Sequence, residues 1–220
     1  MRAKVFVFDA YGTLFDVHAA VRRHQSAVGP DAAGLSDLWR SKQLEYSWVR
    51  SLMHVHRDFA AVTADALDYA LARYPSVDGR VRAPLLESYW TLDPYPEVPA
   101  VLAALKSSGA RLAILSNGTN EMLAAAVKSA GIGDYLDAVL SIDDAGVFKT
   151  DPRVYQLAVD RLGAGPSDIW FQSSNRWDIA GAVAFGFRGV WVNRAGSPDE
   201  YQDLKPAAVI ATLATLAKVA

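Results

Sequence analysis

A chain of 220 residues can bury one good core with a small subdomain and falls short of two full independent domains. With 51% hydrophobic residues, 21% charged residues and a formal net charge of -2, it reads as globular and has no basic excess for nucleic acid or an acidic membrane surface. Zero cysteine excludes disulfides, thiolate zinc sites and a cysteine nucleophile, and the four histidines show no metal-ligand spacing. No apolar run reaches the roughly 18 residues of a membrane span, and the start of the chain lacks a signal-peptide pattern, so a cytoplasmic setting is expected.

Val5 to Phe8 is an uninterrupted β-prone apolar run, which suits a strand buried on both faces of a parallel sheet. From Asp16 to about Pro96 the periodicity is helical. Leu35, Leu38, Trp39, Lys42 and Tyr46 recur at spacings of three and four, and Ser36 is a plausible N-cap, so the run L-S-D-L-W-R-S-K-Q-L-E-Y-S-W-V-R-S-L-M-H-V-H, as far as His56, predicts one long helix. The segment D-F-A-A-V-T-A-D-A-L-D-Y-A-L-A-R-Y predicts a second that stops before Pro75, and Arg82 to Trp90 a third. This block, 16–96, reads as an all-helical cap inserted into a core made of 1–15 and 97–220. After it, helix and strand alternate: helix Val98–Ser108, strand Arg111–Leu115, helix Asn120–Ala130, strand Ala138–Ile142, helix Pro152–Leu162, strand Ile169–Gln172, helix Asp178–Phe185, strand Gly189–Val192, a short strand near Val209 and a helix from Thr212. Such alternation predicts a doubly wound, Rossmann-like parallel sheet.

In such a sheet, ligands sit at the carboxyl ends of the strands, and the residues that follow each strand can be read off directly. Asp9 ends the first strand. It could merely cap the next turn, but Gly12 permits a sharp turn and Thr13 can aim a hydroxyl back at the carboxylate. After the second strand come Ser116, Asn117 and Gly118, either an ordinary N-cap loop or a seat for a carboxylate or phosphate at a helix start. Lys149 follows an apolar pair and precedes a helix, where an ammonium could hold Asp9 ionised. Asp178, after the fourth strand, reads as a first-turn helix acid or as a second site carboxylate.

These stretches together resemble the haloacid dehalogenase superfamily, and within it the (S)-2-haloacid dehalogenase branch. The likeness rests on D-A-Y-G-T-L-F-D at Asp9, S-N-G at Ser116, K-T-D-P-R-V-Y at Lys149, S-S-N-R-W-D at Ser173 and the segment W-R-S-K-Q-L-E-Y-S-W that contains Arg40. Thr150 stands where the third pattern has proline, and Arg176 falls at the variable position of the fourth. The phosphatases of the superfamily carry a second Asp where this chain has Tyr11, and an acidic pair for magnesium where it has Ser and Asn before a lone Asp178.

The resemblance implies that Asp9 displaces halide from a short (S)-2-haloalkanoic acid with inversion and that the resulting ester is hydrolysed to an (R)-2-hydroxy acid, with no metal or other cofactor. It implies catalytic roles for Asp9, Thr13, Arg40, Ser116, Lys149, Tyr155, Ser173, Asn175 and Asp178. Substrate and halide contacts fall to Tyr11, Arg40, Leu44, Phe59, Ser116, Asn117, Asn175 and Trp177. It also suggests a homodimer, with no nucleic-acid or membrane partner. Opening of a strained-ring carboxylate such as azetidine-2-carboxylate, a magnesium-dependent phosphatase and a non-enzymatic binding protein stay open at this point.

Overall fold

The structure is a computed structural model that describes residues 3–220. Its centre is a six-stranded sheet: β1 (Val5–Phe8), β2 (Arg111–Ser116), β3 (Ala138–Ser141), β4 (Ile169–Ser173), β5 (Arg188–Val192) and β6 (Ala208–Ile210). Strand order is β3-β2-β1-β4-β5-β6 and every pairing is parallel. The winding reverses at β1, which is where a doubly wound sheet opens a crevice at its carboxyl edge. Phe8 is level with Ile114 on β2 and with Gln172 on β4. Asp9 therefore emerges beside Ser173 and one position short of Ser116. All four β1 side chains are buried, as expected for a strand covered on both faces.

The crossovers are helical: α6 (Val98–Ser107), α7 (Asn120–Ala130), α8 (Pro152–Leu162) and α9 (Arg176–Phe185) pack on the sheet, and a 3-10 turn at Leu213–Lys218 ends the chain. Between β1 and α6 come five helices numbered before them, α1 (Ala19–Arg23), α2 (Gln25–Val28), α3 (Ala32–Met53), α4 (Phe59–Arg73) and α5 (Arg82–Trp90). The chain leaves for them and returns at one point, where Asp16 N–H donates to Asp93 O at 3.0 Å and Tyr95 N–H to Leu14 O at 2.9 Å. Arg23 reaches across to the Thr91 carbonyl at 2.7 Å and secures the same neck.

Three details depart from the sequence-based expectation. Helix α3 begins four residues before Ser36, which lies buried in its second turn with its hydroxyl 2.8 Å from His18 Nδ1, and it stops at Met53, short of His56, where His54 turns left-handed at φ 56°. Helices α1 and α2, of 5 and 4 residues, are too short to register as a period. The last element is a 3-10 turn, because only Leu213 and Leu216 find the core and their spacing of three suits that tighter helix. Among the described residues no helix is long and apolar enough to cross a membrane.

Candidate active site

At the carboxyl end of β1 the Asp9 carboxylate is only 5% exposed and its two oxygens are treated differently. Oδ2 accepts from Thr13 Oγ1 at 3.0 Å, Ser173 Oγ at 3.1 Å and Asn175 Nδ2 at 2.8 Å. Oδ1 faces one donor, Lys149 Nζ, at 3.1 Å. Three donors on one oxygen localise charge there and leave the other with free lone pairs. The turn that folds Thr13 back is made by Gly12 at φ 91°, a conformation that an L side chain rarely adopts. Thr13 Oγ1 in turn accepts the Ser174 N–H at 2.8 Å, which ties the β1 turn to the end of β4.

Lys149 is 1% exposed and bridges two carboxylates, since its Nζ also lies 2.7 Å from Asp178 Oδ2. Tyr155 donates its hydroxyl to the other oxygen, Asp178 Oδ1, at 2.9 Å. Burial is the main cause that pushes the Asp178 carboxyl up, to about 6, with the Asp9 charge adding to it and Lys149 opposing. Burial also works against the Lys149 ammonium, but the attraction of Asp178 and Asp9 outweighs it and its pKa is raised. The ammonium thus stays charged between the two acids. Burial first, then the Asp178 charge, raises the Tyr155 phenol well above its ordinary value, so it remains a donor. Among the described residues no group of three or more His, Asp or Glu is placed to hold a metal ion.

Ser116 ends β2 fully buried, and its Oγ accepts the Gly118 N–H at 3.1 Å. Gly118 has no Cβ because the Tyr11 ring occupies the space, with its Cε2 at 2.8 Å from where a Cβ would stand. Asn117, expected to hold substrate, is engaged elsewhere on one side: its Oδ1 accepts the Lys149 N–H at 3.0 Å and so fixes the loop that carries the ammonium. The Lys149–Thr150 peptide bond is cis.

The opposite wall comes from the helices before α6. Arg40 on α3 donates from Nη1 to Gln43 Oε1 at 2.7 Å and points Nη2 at Asn175 Oδ1 and Tyr11 O, both at 3.4 Å. Leu44 lies one turn further along the same face of α3, half-buried. Tyr11 stacks on Tyr89 at 5.5 Å and 20° and meets Phe59 at 5.5 Å. Its hydroxyl is buried without a hydrogen-bond partner among the described residues, and burial raises its pKa well above the ordinary phenol range. Trp177, half-buried, meets Trp48 edge-on at 5.3 Å.

The site residues named from the sequence, Leu44 and Trp177 apart, are therefore joined by hydrogen bonds, ring contacts or close packing in one connected cluster around Asp9. Four members were not foreseen. Gln43, buried on α3, accepts from Arg40 and from Tyr89 Oη at 3.1 Å and donates to Thr63 Oγ1 at 2.7 Å. Tyr89 closes the wall behind Tyr11. Phe148 packs on Phe59 with ring centres 6.2 Å apart. Arg194 holds the Thr13 carbonyl at 3.0 Å while paired with Glu97 at 2.6 Å. A glutamine four residues from both Trp39 and Ser47, all on one helix face, was the available signal for the first.

Comparison with known proteins agrees with this geometry. The family model of haloacid dehalogenase-like hydrolases matches residues 3–186. The (S)-2-haloacid dehalogenase 4A of Burkholderia cepacia is 50% identical over 197 residues, 89% of this chain and 85% of that protein. The crystal structure of a dehalogenase, 46% identical, superposes with a TM-score of 0.96 over 99% of this chain and 97% of that one. The L-2-haloacid dehalogenase of Xanthobacter autotrophicus, solved with chloropropionic acid covalently bound, is 35% identical with a TM-score of 0.88, covering 99% of this chain and 98% of that one. A doubly wound sheet with an aspartate at the end of β1, matched by a family model across 3–186 and by relatives along nearly the whole length, makes this chain a member of the haloacid dehalogenase-like hydrolases.

Proposed function

We propose that this protein hydrolyses short (S)-2-haloalkanoic acids to (R)-2-hydroxy acids and halide through an ester on Asp9. The observation that carries the reading is the unequal treatment of the Asp9 oxygens. Oδ1, with one donor, attacks the α-carbon opposite the halogen; the carbon–halogen bond breaks, the halide leaves with its electron pair and the carbon inverts. Water then adds to Cγ of Asp9, and the negative charge that develops on Oδ2 is met by donors already in place on Thr13, Ser173 and Asn175. Asp178 takes the water proton, for which a pKa of about 6 is well matched near neutral pH. The Cγ–Oδ1 bond breaks, the departing alkoxide takes up that proton to become the hydroxy acid, and Asp9, which now carries the water oxygen, releases the second water proton to solvent and is a carboxylate again. Lys149 balances the two carboxylates throughout, so the chemistry needs no metal in this scheme.

Supporting roles follow from position. Arg40 and Asn175 lie where a departing halide can be solvated, with the free Tyr11 hydroxyl beside them. Ser116 can donate to the substrate carboxylate, while Asn117 holds Lys149. The aromatic wall of Tyr11, Phe59 and Trp177 suits an alkyl chain. We assign residues 16–96 as the cap that shuts water out of this pocket. Homodimer formation through Val49 and Met53 of α3 and Tyr69 of α4 is part of the same proposal, because these large apolar residues are exposed on neighbouring helices; sedimentation should give twice the chain mass.

The direct test supplies (S)- and (R)-2-chloropropanoate and, separately, an aryl phosphate, with a chelator present. Chloride from the (S) acid alone is expected. Phosphate release that requires added magnesium would overturn the scheme. In heavy-oxygen water, a single turnover should place the label in Asp9 and leave the first hydroxy acid unlabelled.

A further inference from the structure

In this structure the reacting groups are shut in: Asp9 is 5% exposed, Lys149 1% and Asp178 fully buried, with Arg40 lying across Asn175. A substrate must therefore reach them through a part of the wall that can part. A cavity of about 650 Å³ comes up to Lys149 from outside, between the end of α3, the loop at Phe148–Asp151 and the outer face of α9. Trp48 and Leu52 line it on one side, Trp177 and Ala184 on another, and Tyr201 and Leu204 form its outer lip. Its Asp151 is already neutralised, since Arg153 donates to both carboxylate oxygens at 2.9 and 2.8 Å. A cavity lined mainly by apolar side chains and reaching Lys149 beside Asp9 suits the passage of a small molecule with an alkyl tail.

Two features make this more than a surface dimple. In the cavity wall stands the edge-on pair of Trp48 and Trp177, half-buried residues from two different helices that touch ring to ring with no hydrogen bond to their indoles among the described residues. Trp48 lies two helical turns from Arg40 on the same face of α3, so movement of that face shifts both together. The lip, in contrast, is fixed. Residues 193–207 form no helix or strand, yet Arg176, 4% exposed, grips them: Nε meets Asp199 Oδ1 at 2.6 Å, and Nη2 meets the Tyr201 and Leu204 carbonyls at 3.0 Å each. Its neighbour in sequence is Trp177, so one helix turn carries both the door and the clamp of its frame.

We propose that this cavity is the port through which the haloacid reaches Asp9, with Trp48 and Trp177 as its inner door and Arg176 as the positioning residue that holds its outer lip. The inference rests on the dehalogenase reading for the identity of the cargo. The port itself is a matter of access and is tested on access.

Because the chain has no cysteine, Ala184→Cys places a unique thiol on the exposed cavity wall, and Val209→Cys on exposed β6 serves as a remote control. Each is modified with a methyl and then a benzyl thiosulfonate reagent. Two quantities are read: kcat/KM for chloride release from (S)-2-chloropropanoate, and the rate of tryptophan quenching when unreactive propanoate binds. At Ala184→Cys the benzyl plug should lower both by about tenfold, the methyl plug by less, with full recovery on reduction; the control should not move. Loss of both rates within the Arg176→Met background should shrink to about twofold, because a freed lip can swing clear of the plug. If the benzyl plug leaves both rates within twofold, the port is elsewhere; an undiminished plug effect in Arg176→Met refutes the clamp. Should no acid release halide while propanoate binding is still slowed by the plug, the port stands and the dehalogenase reading fails.

Discussion

Two walls meet at Asp9, and they are held in place in different ways. One is the carboxyl edge of the sheet, where Ser116 and Ser173 end a strand and Asp9, Lys149, Asn175 and Asp178 follow one, the strands' register being fixed by parallel pairing. The other is the helical wall of Arg40, Gln43, Phe59 and Tyr89, contributed by three helices with no backbone pairing between them. On the sheet side charges face charges at short range and are fully desolvated. On the helical side the contacts to the sheet edge are fewer and mostly longer, 3.4 Å from Arg40 to both Asn175 and Tyr11, beside ring packing and one backbone N–H, that of Phe148, donated to Ser51 Oγ of α3 at 3.1 Å. The sheet edge holds charge still with short hydrogen bonds; the helical wall lies over it on fewer polar contacts.

The largest effect should come from the sheet edge. Asp9→Asn removes the attacking carboxylate while keeping the shape, and halide release should fall by a factor on the order of 10⁴ or more in a steady-state assay, with the melting temperature little changed. Retention of activity would mean that water attacks directly and that the asymmetry of the two oxygens is incidental.

Asp178→Asn separates the two halves of the reaction. The first displacement needs Asp9 and not Asp178, so one equivalent of halide should appear in a burst. The second needs a base, so turnover should drop by about 10³ and the intact-protein mass should show the substrate's carboxyalkyl group retained on the enzyme as an ester. Absence of a burst would tie Asp178 to the first step and blur the division of labour proposed for the two carboxylates.

The same contrast governs what could be read from the sequence. The strands and the residues after them were legible because a parallel sheet converts chain order into spatial position: an apolar run followed by Asp, Ser, Lys or Ser-Ser-Asn puts those side chains at one edge whatever the loops do. Helix–helix packing offers no such rule. Arg40 was found only through the resemblance of its whole segment, and Gln43 and Tyr89 were missed because their partnership joins residues 46 positions apart on two helices. Ser36 misled for the same reason: it has the chemistry of an N-cap, but its partner is His18, and the helix starts where Pro30 and the 3-10 turn at Gly29–Asp31 deliver the chain. Asn117 has a further contact that the sequence does not show, since nothing in S-N-G says that its amide oxygen turns to the backbone of Lys149.

Helical-wall substitutions should therefore act on binding more than on chemistry. Gln43→Leu keeps the volume and removes the acceptor that holds both Arg40 and Tyr89, leaving those donors buried without partners. KM should rise about tenfold with a smaller change in kcat, and unfolding should become easier by about 1–3 kcal/mol. A fall confined to kcat would show that Arg40 must be held in register for the displacement itself, which would make the helical wall a catalytic partner of the sheet edge.

The smallest effect is also the most discriminating for the sheet edge. Tyr155 touches neither of the reacting Asp9 oxygens; it donates to Asp178 Oδ1 and thereby favours the ionised carboxylate. Asp178 acts as a base only when ionised, so turnover should decline as pH falls through about 6. Tyr155→Phe removes a donor to the charged form, which raises the Asp178 pKa further and moves that acid limb to higher pH, by up to about one unit. At alkaline pH, where Asp178 is ionised in both proteins, kcat should converge with that of the parent. The halide burst, which does not use Asp178, should keep its original pH dependence. A uniform loss at every pH would instead assign Tyr155 to packing among Phe171, Phe185 and Phe187, whose rings surround it at 5.8 to 5.9 Å. Displacement of the limb without loss of the plateau is what an electrostatic role predicts, because a hydrogen bond to the carboxylate changes when the base is available and leaves what it does once ionised unaltered.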